Sequence, residues 1–321
     1  MFFSSLAMNT SSSSCAASAA GRVAVITGAN KGIGYFIALQ LGMSGLFQHI
    51  ILACRDTNRG QAALARMQPH FPSSVQASCL SLTLGNHDSH VAFREQLETY
   101  LVQQHQSDNN NNSNSDEFLP QVDVLVNNAA MAFKGSDPTP FAQQTKPTLD
   151  VNFRGTVDFT QQMLPLLRRA GQQQKTTATG RRDCARIVNV ASMAGRLNQV
   201  SPKRQQQFSS PNLTMEELQD LMDEFETDVA AGNHQAKGWS NTNYGMSKLA
   251  VVAATKIWAR EESPHHISVT CICPGYCATD MSSNSGPRSA EEGAKNAVLP
   301  ATMDHPPMTG EFFADMKIRQ W

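Results

Sequence analysis

The stretch Thr27-Gly28-Ala29-Asn30-Lys31-Gly32-Ile33-Gly34 follows a short apolar run, Val23-Ala24-Val25-Ile26, and leads into residues spaced for a helix, 33–43. Glycines permit a tight turn and let backbone approach a pyrophosphate closely. The start of the helix offers free N–H groups and a partial positive charge. The spacing is G-x-x-x-G-x-G, not the more common G-x-G-x-x-G. Placed between a first strand and a first helix, it predicts nucleotide binding by Gly28, Asn30, Lys31, Gly32, Ile33 and Gly34.

Strand and helix patterns alternate outward from this turn. Apolar runs at 49–54, 75–82, 122–126, 187–190 and 267–273 read as strands, with a short one at 311–313. Helical spacing covers 57–67, a stretch ending near 102, then 142–168 and 244–262. Strands separated by helices need crossover connections. The expected class is therefore α/β: a Rossmann-like, doubly wound parallel sheet of about seven strands with helices on both faces. Ligands of such sheets bind at the carboxyl ends of the strands. One catalytic domain of this type is expected over 21–321.

Composition narrows the function classes. The chain has 321 residues, of which 40% are hydrophobic, enough to bury a core without staples. A net charge of −1 gives no electrostatic case for nucleic acid or an anionic membrane. No apolar run approaches the roughly 18 residues of a membrane span. The seven cysteines are scattered through apolar runs and read as buried, reduced thiols. Cys271, Cys273 and Cys277 lack a paired His and have poor zinc spacing, so no metal is expected. Residues 1–20 are rich in Ser and Ala and uncharged, which predicts a disordered tail on a cytoplasmic protein; an organelle signal is the alternative. Polar stretches at about 103–117 and 171–183 cannot bury enough apolar surface to offset their ordering entropy and read as surface loops.

The glycine turn resembles the first motif of the short-chain dehydrogenase/reductases, T-G-x-x-x-G-x-G, and further motifs of that family follow in order. Asn127-Asn128-Ala129-Ala130 stands for N-N-A-G, and Asn152 lies in Val151-Asn152-Phe153. Ser192 follows strand five, Tyr244-Gly245-Met246-Ser247-Lys248 matches Y-x-x-x-K, and Pro274-Gly275 has Thr279 beyond it. The resemblance covers residues 22–321. Within the family the likeness is to the NADPH-dependent carbonyl reductases. It rests on Asn30 to Gly34, Asp137-Pro138-Thr139-Pro140-Phe141, Gly238-Trp239, Cys273-Pro274-Gly275, Gln320-Trp321 and the long segment between Ser192 and Tyr244.

The resemblance implies reduction of ketones, aldehydes or quinones to alcohols, with NADPH as hydride source. It implies a catalytic set of Asn152, Ser192, Tyr244 and Lys248, with Asn152 holding a water that relays protons to Lys248. Further cofactor contacts implied are Thr83, Leu84, Asn128, Ala129, Tyr244, Lys248, Pro274, Gly275, Cys277 and Thr279. The resemblance places Met193, Trp239 and Tyr276 around the substrate, with plain core as the alternative for each. Two departures stand out: Thr83 lies where the family usually has an Asp, and Ala130 replaces a Gly.

The residues make chemical sense of these roles. Tyr244 and Lys248 are four apart and share one helix face. A free phenol, with a pKa of about 10, is a weak acid–base catalyst at neutral pH. A neighbouring ammonium, together with the positive nicotinamide of an oxidised cofactor, is expected to stabilise phenolate and lower that value. Ser192 can donate a hydrogen bond to a carbonyl oxygen as charge grows there. At the end of strand two, NAD enzymes place an acid for the ribose 2′-hydroxyl. Here Cys54 and Arg55 stand there, with Lys31 in the glycine turn, a pairing that suits the 2′-phosphate of NADPH. The competing reading pairs Arg55 with Asp56.

A helical insert is expected over about 196–243, ahead of the Tyr244 helix. Thr214-Met215-Glu216-Glu217 is a capping-box pattern, and Leu218, Leu221, Met222, Phe225 and Val229 form an apolar stripe. The acids Asp220, Asp223 and Glu226 mark a solvated opposite face. Relatives pair through the helices at 142–168 and 243–262. An insert stripe docked on that surface predicts a monomer. The alternatives to an active reductase are an NADP-dependent alcohol or steroid dehydrogenase working oxidatively, and a non-catalytic NADP(H)-binding redox sensor.

Overall fold

The computed structural model describes residues 21–108, 118–173, 184–303 and 309–321. The tail at 1–20 and most of both polar loops lie outside the described residues. The described chain forms one eight-stranded sheet, in the order β3-β2-β1-β4-β5-β6-β7-β8. Its strands are β1 (Val23–Thr27), β2 (His49–Cys54), β3 (Gln76–Ser81), β4 (Val124–Asn127), β5 (Ala185–Val190), β6 (Ile267–Cys273), β7 (Phe312–Ala314) and β8 (Lys317–Arg319). All pairings are parallel except β7 with β8. Strand β8 is an addition to the seven expected. Asp315 and Met316, both at positive φ, fold it back as a tight hairpin.

The helices are α1 (Gly32–Met43), α2 (Thr57–Met67), α3 (His87–Asp108), α4 (Phe141–Leu149), α5 (Gly155–Gln172), α6 (Pro202–Phe208), α7 (Met215–Ala230), α8 (Asn243–Glu261) and α9 (Ala290–Thr302). On one face of the sheet, α3, α5 and α8 bury Phe93, Phe159 and Leu249 in one apolar cluster. On the other, α1, α2 and α9 bury Ile37, Leu64 and Ala294 in a second. The sheet order reverses between β1 and β4. Their carboxyl ends therefore splay into the crevice where such sheets bind ligands. No helix among the described residues is long and apolar enough to cross a membrane.

Several boundaries differ from the sequence expectations. The helix expected to end near 102 runs to Asp108, so 103–108 are helical and not loop. Gly171 and Gln172 likewise belong to α5. The helix expected over 142–168 passes through a π-helical turn, Asp150–Arg154, which joins α4 to α5 and carries Asn152. The insert holds two helices, not one: Ser201 caps the short α6, with Pro202 in its first turn.

Helix α7 starts with the expected capping box, in which the Thr214 and Glu217 side chains each bond the other residue's backbone N–H. Leu218, Met222 and Phe225 are fully buried, and Leu221 and Val229 nearly so, against α4 and α8. Each such side chain contributes roughly 1.5–3 kcal/mol relative to exposure. The acidic face is less solvated than expected. Arg154 reaches across from the π turn to Asp223 at 2.5 Å and Glu226 at 2.7 Å.

Candidate active site

Positive φ at Gly28 and Gly32 shapes the turn after β1. A Cβ on Gly28 would lie 3.1 Å from the Ala129 backbone, and one on Gly34 only 2.4 Å from the Asn128 amide. The turn can therefore nest against the end of β4 only with glycine at these places. Thr27 Oγ1 accepts the N–H groups of Asn128 and Ala129, both at 2.9 Å. Asn128 Nδ2 donates back to the Thr27 carbonyl at 2.8 Å. The Asn128 side chain is thus a strut between two cofactor-facing loops. Ala130 keeps a negative φ, so its Cβ causes no backbone strain there.

No side chain caps α1 at Lys31. Its first N–H groups suit a phosphate, which would meet both the free donors and the helix dipole. At the end of β2, Cys54 is buried and Arg55 exposed. Asp56 caps α2 and pairs with Arg59 at 3.1 Å, leaving Arg55 without a partner among the described residues. Lys31 bonds Asp280, at 2.5 Å, across the mouth of the crevice. Thr83 and Leu84 follow β3, and the Thr83 N–H donates to Ser89 Oγ at 2.9 Å. Thr279 lies over the turn, its methyl 3.6 Å from where a Gly32 Cβ would be. Asn30 and Ile33 are half-buried in the same turn. These features, with no acid at the end of β2, fit a dinucleotide carrying a 2′-phosphate.

The catalytic candidates meet beside this cradle. Ser192 leaves β5 in extended conformation, and its Oγ accepts the Ala194 N–H at 3.1 Å. The Ser192 side chain lies beside the Tyr244 phenol. Lys248, one turn along α8, lies 5.7 Å from the centre of the Tyr244 ring, and its Nζ donates to the Val190 carbonyl at 2.7 Å. Lys248 is 3% exposed, and no carboxylate among the described residues pairs with it. Burial pushes the lysine down to about 8. It also pushes Tyr244 up to about 12, against the Ser192 hydroxyl, which favours phenolate. Burial outweighs the serine, and Cys273 adds to the rise; the expected lowering concerns the ammonium together with an oxidised nicotinamide. A proton-holding phenol is the form a proton donor requires.

Asn152 is buried and its side chain is committed. Oδ1 accepts the Met131 N–H at 2.7 Å, while Nδ2 donates to the Met131 carbonyl at 2.8 Å and to Ser247 Oγ at 3.1 Å. The Thr156 hydroxyl donates to its main-chain carbonyl at 3.1 Å. The side chain ties the loop after β4 to the tyrosine helix.

Pro274-Gly275 closes the site after β6, with Gly275 at φ +84. Cys273 Sγ accepts the N–H of Met193 at 3.2 Å and of Gly275 at 3.4 Å, joining this turn to the serine loop. Met193 and Tyr276 are exposed. Trp239 is not: it is 4% exposed, donates to Asp228 at 2.8 Å, packs edge-on against Phe225 and lies under the Arg204 guanidinium. It is core of the insert, since an indole this large needs both the apolar pocket and an N–H partner. The Cys277 side chain is likewise turned away, its thiol 3.4 Å from the Pro274 carbonyl and against Gly293 of α9.

Sequence reading missed three supports. Asn127, Asn189, Thr160 and Thr255 form a buried chain of hydrogen bonds across β4, β5, α5 and α8. Asn127 and Asn189 are register partners on neighbouring strands, and two Asn in apolar runs were the available signal. Gln199 Nε2 donates to the carbonyls of Ala194, Arg196 and Gly245, and nothing in its local pattern marks it. Arg288 holds the Pro274 carbonyl at 2.9 Å and Asp315 at 2.6 Å.

Comparison with known proteins agrees with this geometry. The family model described as short chain dehydrogenase matches residues 22–203 and 228–290, and the gap between these stretches holds most of α7. The NADPH carbonyl reductase 1 of Oryctolagus cuniculus is 35% identical over 311 residues, covering 94% of this chain and 98% of its own. That of Homo sapiens is 34% identical, with 93% and 98% covered. Among solved structures, salutaridine reductase from Papaver somniferum aligns over 92% of this chain and 99% of its own, with a TM-score of 0.72 at 24% identity. The menthone neomenthol reductase of Mentha piperita does so over 91% and 98%, with a TM-score of 0.64 at 27% identity. The chain belongs to the short-chain dehydrogenase/reductase family and is an oxidoreductase of that family.

Proposed function

We propose that this enzyme reduces ketones, aldehydes or quinones to alcohols, with NADPH as hydride source and Tyr244 as proton donor. The observation that carries the reading is the meeting of Tyr244, Ser192 and buried Lys248 at the strand ends beside the glycine cradle. When bound, the cofactor supplies the hydride. The protein's own groups do the rest. Ser192 and Tyr244 orient the carbonyl oxygen by hydrogen bonds. Tyr244 Oη gives its proton to that oxygen as negative charge develops, and the Lys248 ammonium stabilises the phenolate left behind. Asn152 positions α8 through Ser247. Met193 and Tyr276 offer an apolar mouth. A non-catalytic sensor would have no need of a buried proton donor. A panel of quinones, aldehydes and ketones, followed by NADPH consumption, tests the reading: turnover of at least one class supports it, and none from any class rejects it.

Unpaired Arg55 suits the 2′-phosphate, and a charge-assisted hydrogen bond contributes roughly 1.5–3 kcal/mol. NADPH is therefore expected to exceed NADH by at least about tenfold in kcat/KM, with Arg55→Ala reducing that ratio. Equal use of both cofactors by the wild type contradicts this. Lys31 contributes only after leaving Asp280, so it matters less.

The protein is read as a monomer. The buried stripe of α7 packs on α8 and on α4, which opens the 142–168 stretch expected to pair with 243–262 in relatives. Analytical ultracentrifugation at micromolar concentration is expected to give one species near 35.0 kDa. A species of twice that mass shows that the cap leaves the pairing surface open. A cytoplasmic setting fits the six described cysteines, all of which are free.

A further inference from the structure

The catalytic serine sits at the start of a short 3-10 turn, Met193–Gly195, whose other end is held by the last residue of the chain. Trp321 Nε1 donates to the Gly195 carbonyl at 2.9 Å. The indole lies between the Lys256 ammonium, 5.6 Å from its centre, and the apolar cluster of Ala191, Val251 and Cys273. Gly195 has no freedom on its opposite side, where a Cβ would come within 2.7 Å of the Lys248 backbone. Its own N–H donates to the Ser192 carbonyl at 2.9 Å. The turn is thus pressed between the tyrosine helix and the C-terminal indole. The β7–β8 hairpin exists at the right place to bring Trp321 there: its turn is anchored by Met316 N–H donating to Asn296 Oδ1 at 2.9 Å.

We propose that Trp321 is a positioning residue for Ser192, acting through the Gly195 carbonyl. Its role is to hold the turn and not to contact the reacting atoms. Without its N–H, the buried Gly195 carbonyl loses its partner and the turn loosens. The Ser192 hydroxyl then spends less time on the Tyr244 phenol. Three groups face that phenol: Ser192 from the turn, Cys273 from β6 and Lys248 from α8. Ser192 and, through the Met193 N–H on its sulfur, Cys273 are tied to the clamped turn, whereas Lys248 is held by the Val190 carbonyl.

This inference rests on the reductase reading for its kinetic arm, so the test carries an arm without turnover. Trp321→Phe keeps the ring and removes the donor; deleting Trp321 is the harsher second variant. Hydrogen–deuterium exchange is expected to quicken in the peptide holding Ala194 and Gly195, with the β4 and β5 peptides unchanged. In turnover, kcat is expected to fall about fivefold to tenfold, the scale of one lost hydrogen bond, with KM for NADPH unchanged. In the alcohol-oxidising direction the rise of activity with pH moves to higher pH, because phenolate has lost a donor. Exchange in that peptide equal to wild type overturns the proposal whatever the activity. A wild type that turns over, paired with a Trp321→Phe variant of equal kcat and pH profile, overturns it as well. Faster exchange in a protein that shows no NADPH-dependent turnover leaves the clamp standing and refutes the reductase reading.

Discussion

Tyr244→Phe is expected to lower kcat by roughly 10²- to 10⁴-fold, the range of a lost general acid. The ring keeps its packing and only the hydroxyl goes, so NADPH binding, measured by fluorescence titration, is expected to stay near wild type. The loss is large because no other protonated hydroxyl in the site replaces the phenol. Ser192 can bond the substrate oxygen, but an alkyl hydroxyl is a far weaker acid. Near-normal turnover in the variant means that Tyr244 is not the donor.

Lys248→Met is expected to separate catalysis from stability. Turnover falls by about 10²-fold or more, because the phenolate formed in each cycle loses the cation that stabilises it. Thermal stability moves the other way. The wild type carries a lysine buried without a carboxylate partner, and methionine fills a similar volume without charge to desolvate. Burial lowers the lysine from 10.5 to about 8 in the folded state. Between those values the unfolded chain holds a proton that the native state has released, so wild-type stability rises with pH across that window. The variant's advantage in Tm is expected to be greatest below about pH 8 and to close toward 10.5. A variant less stable than wild type at neutral pH means that the Val190 carbonyl compensates the ammonium more fully than this account holds.

What could be read from the sequence had signatures confined to a few neighbouring residues. The glycine turn, the Y-x-x-x-K pair and Pro274-Gly275 each sit at the end of an apolar run, where periodicity fixes the element and the element fixes the position. The capping box at Thr214 likewise announced α7 and its stripe. Helix α9 was missed, although Ser289 and Glu292 make the same capping pattern; its Pro300 and mixed interior blur the helical period. The π turn at Asp150–Arg154 has no period of its own, so the inward aim of Asn152 appeared only in three dimensions.

Long-range partners were the other blind spot. The resemblance offered Trp239 as substrate wall or plain core, and only its partners Asp228 and Arg204, distant in sequence, set it in the insert. Lys31 reads as a cofactor cation until Asp280, far along the chain, is seen beside it. The balance at Tyr244 between burial, which raises its pKa, and the Ser192 hydroxyl, which lowers it, is also a property of the assembled site.

The central claim is hydride transfer from NADPH to a substrate carbonyl carbon. It is tested most directly by supplying NADPH that carries deuterium at the transferable nicotinamide position and analysing the alcohol by mass spectrometry. The account predicts one deuterium on the carbinol carbon with the wild type, and product formation slowed by about 10²-fold or more with Tyr244→Phe. An alcohol formed without the label, or no alcohol from any ketone, aldehyde or quinone, contradicts it.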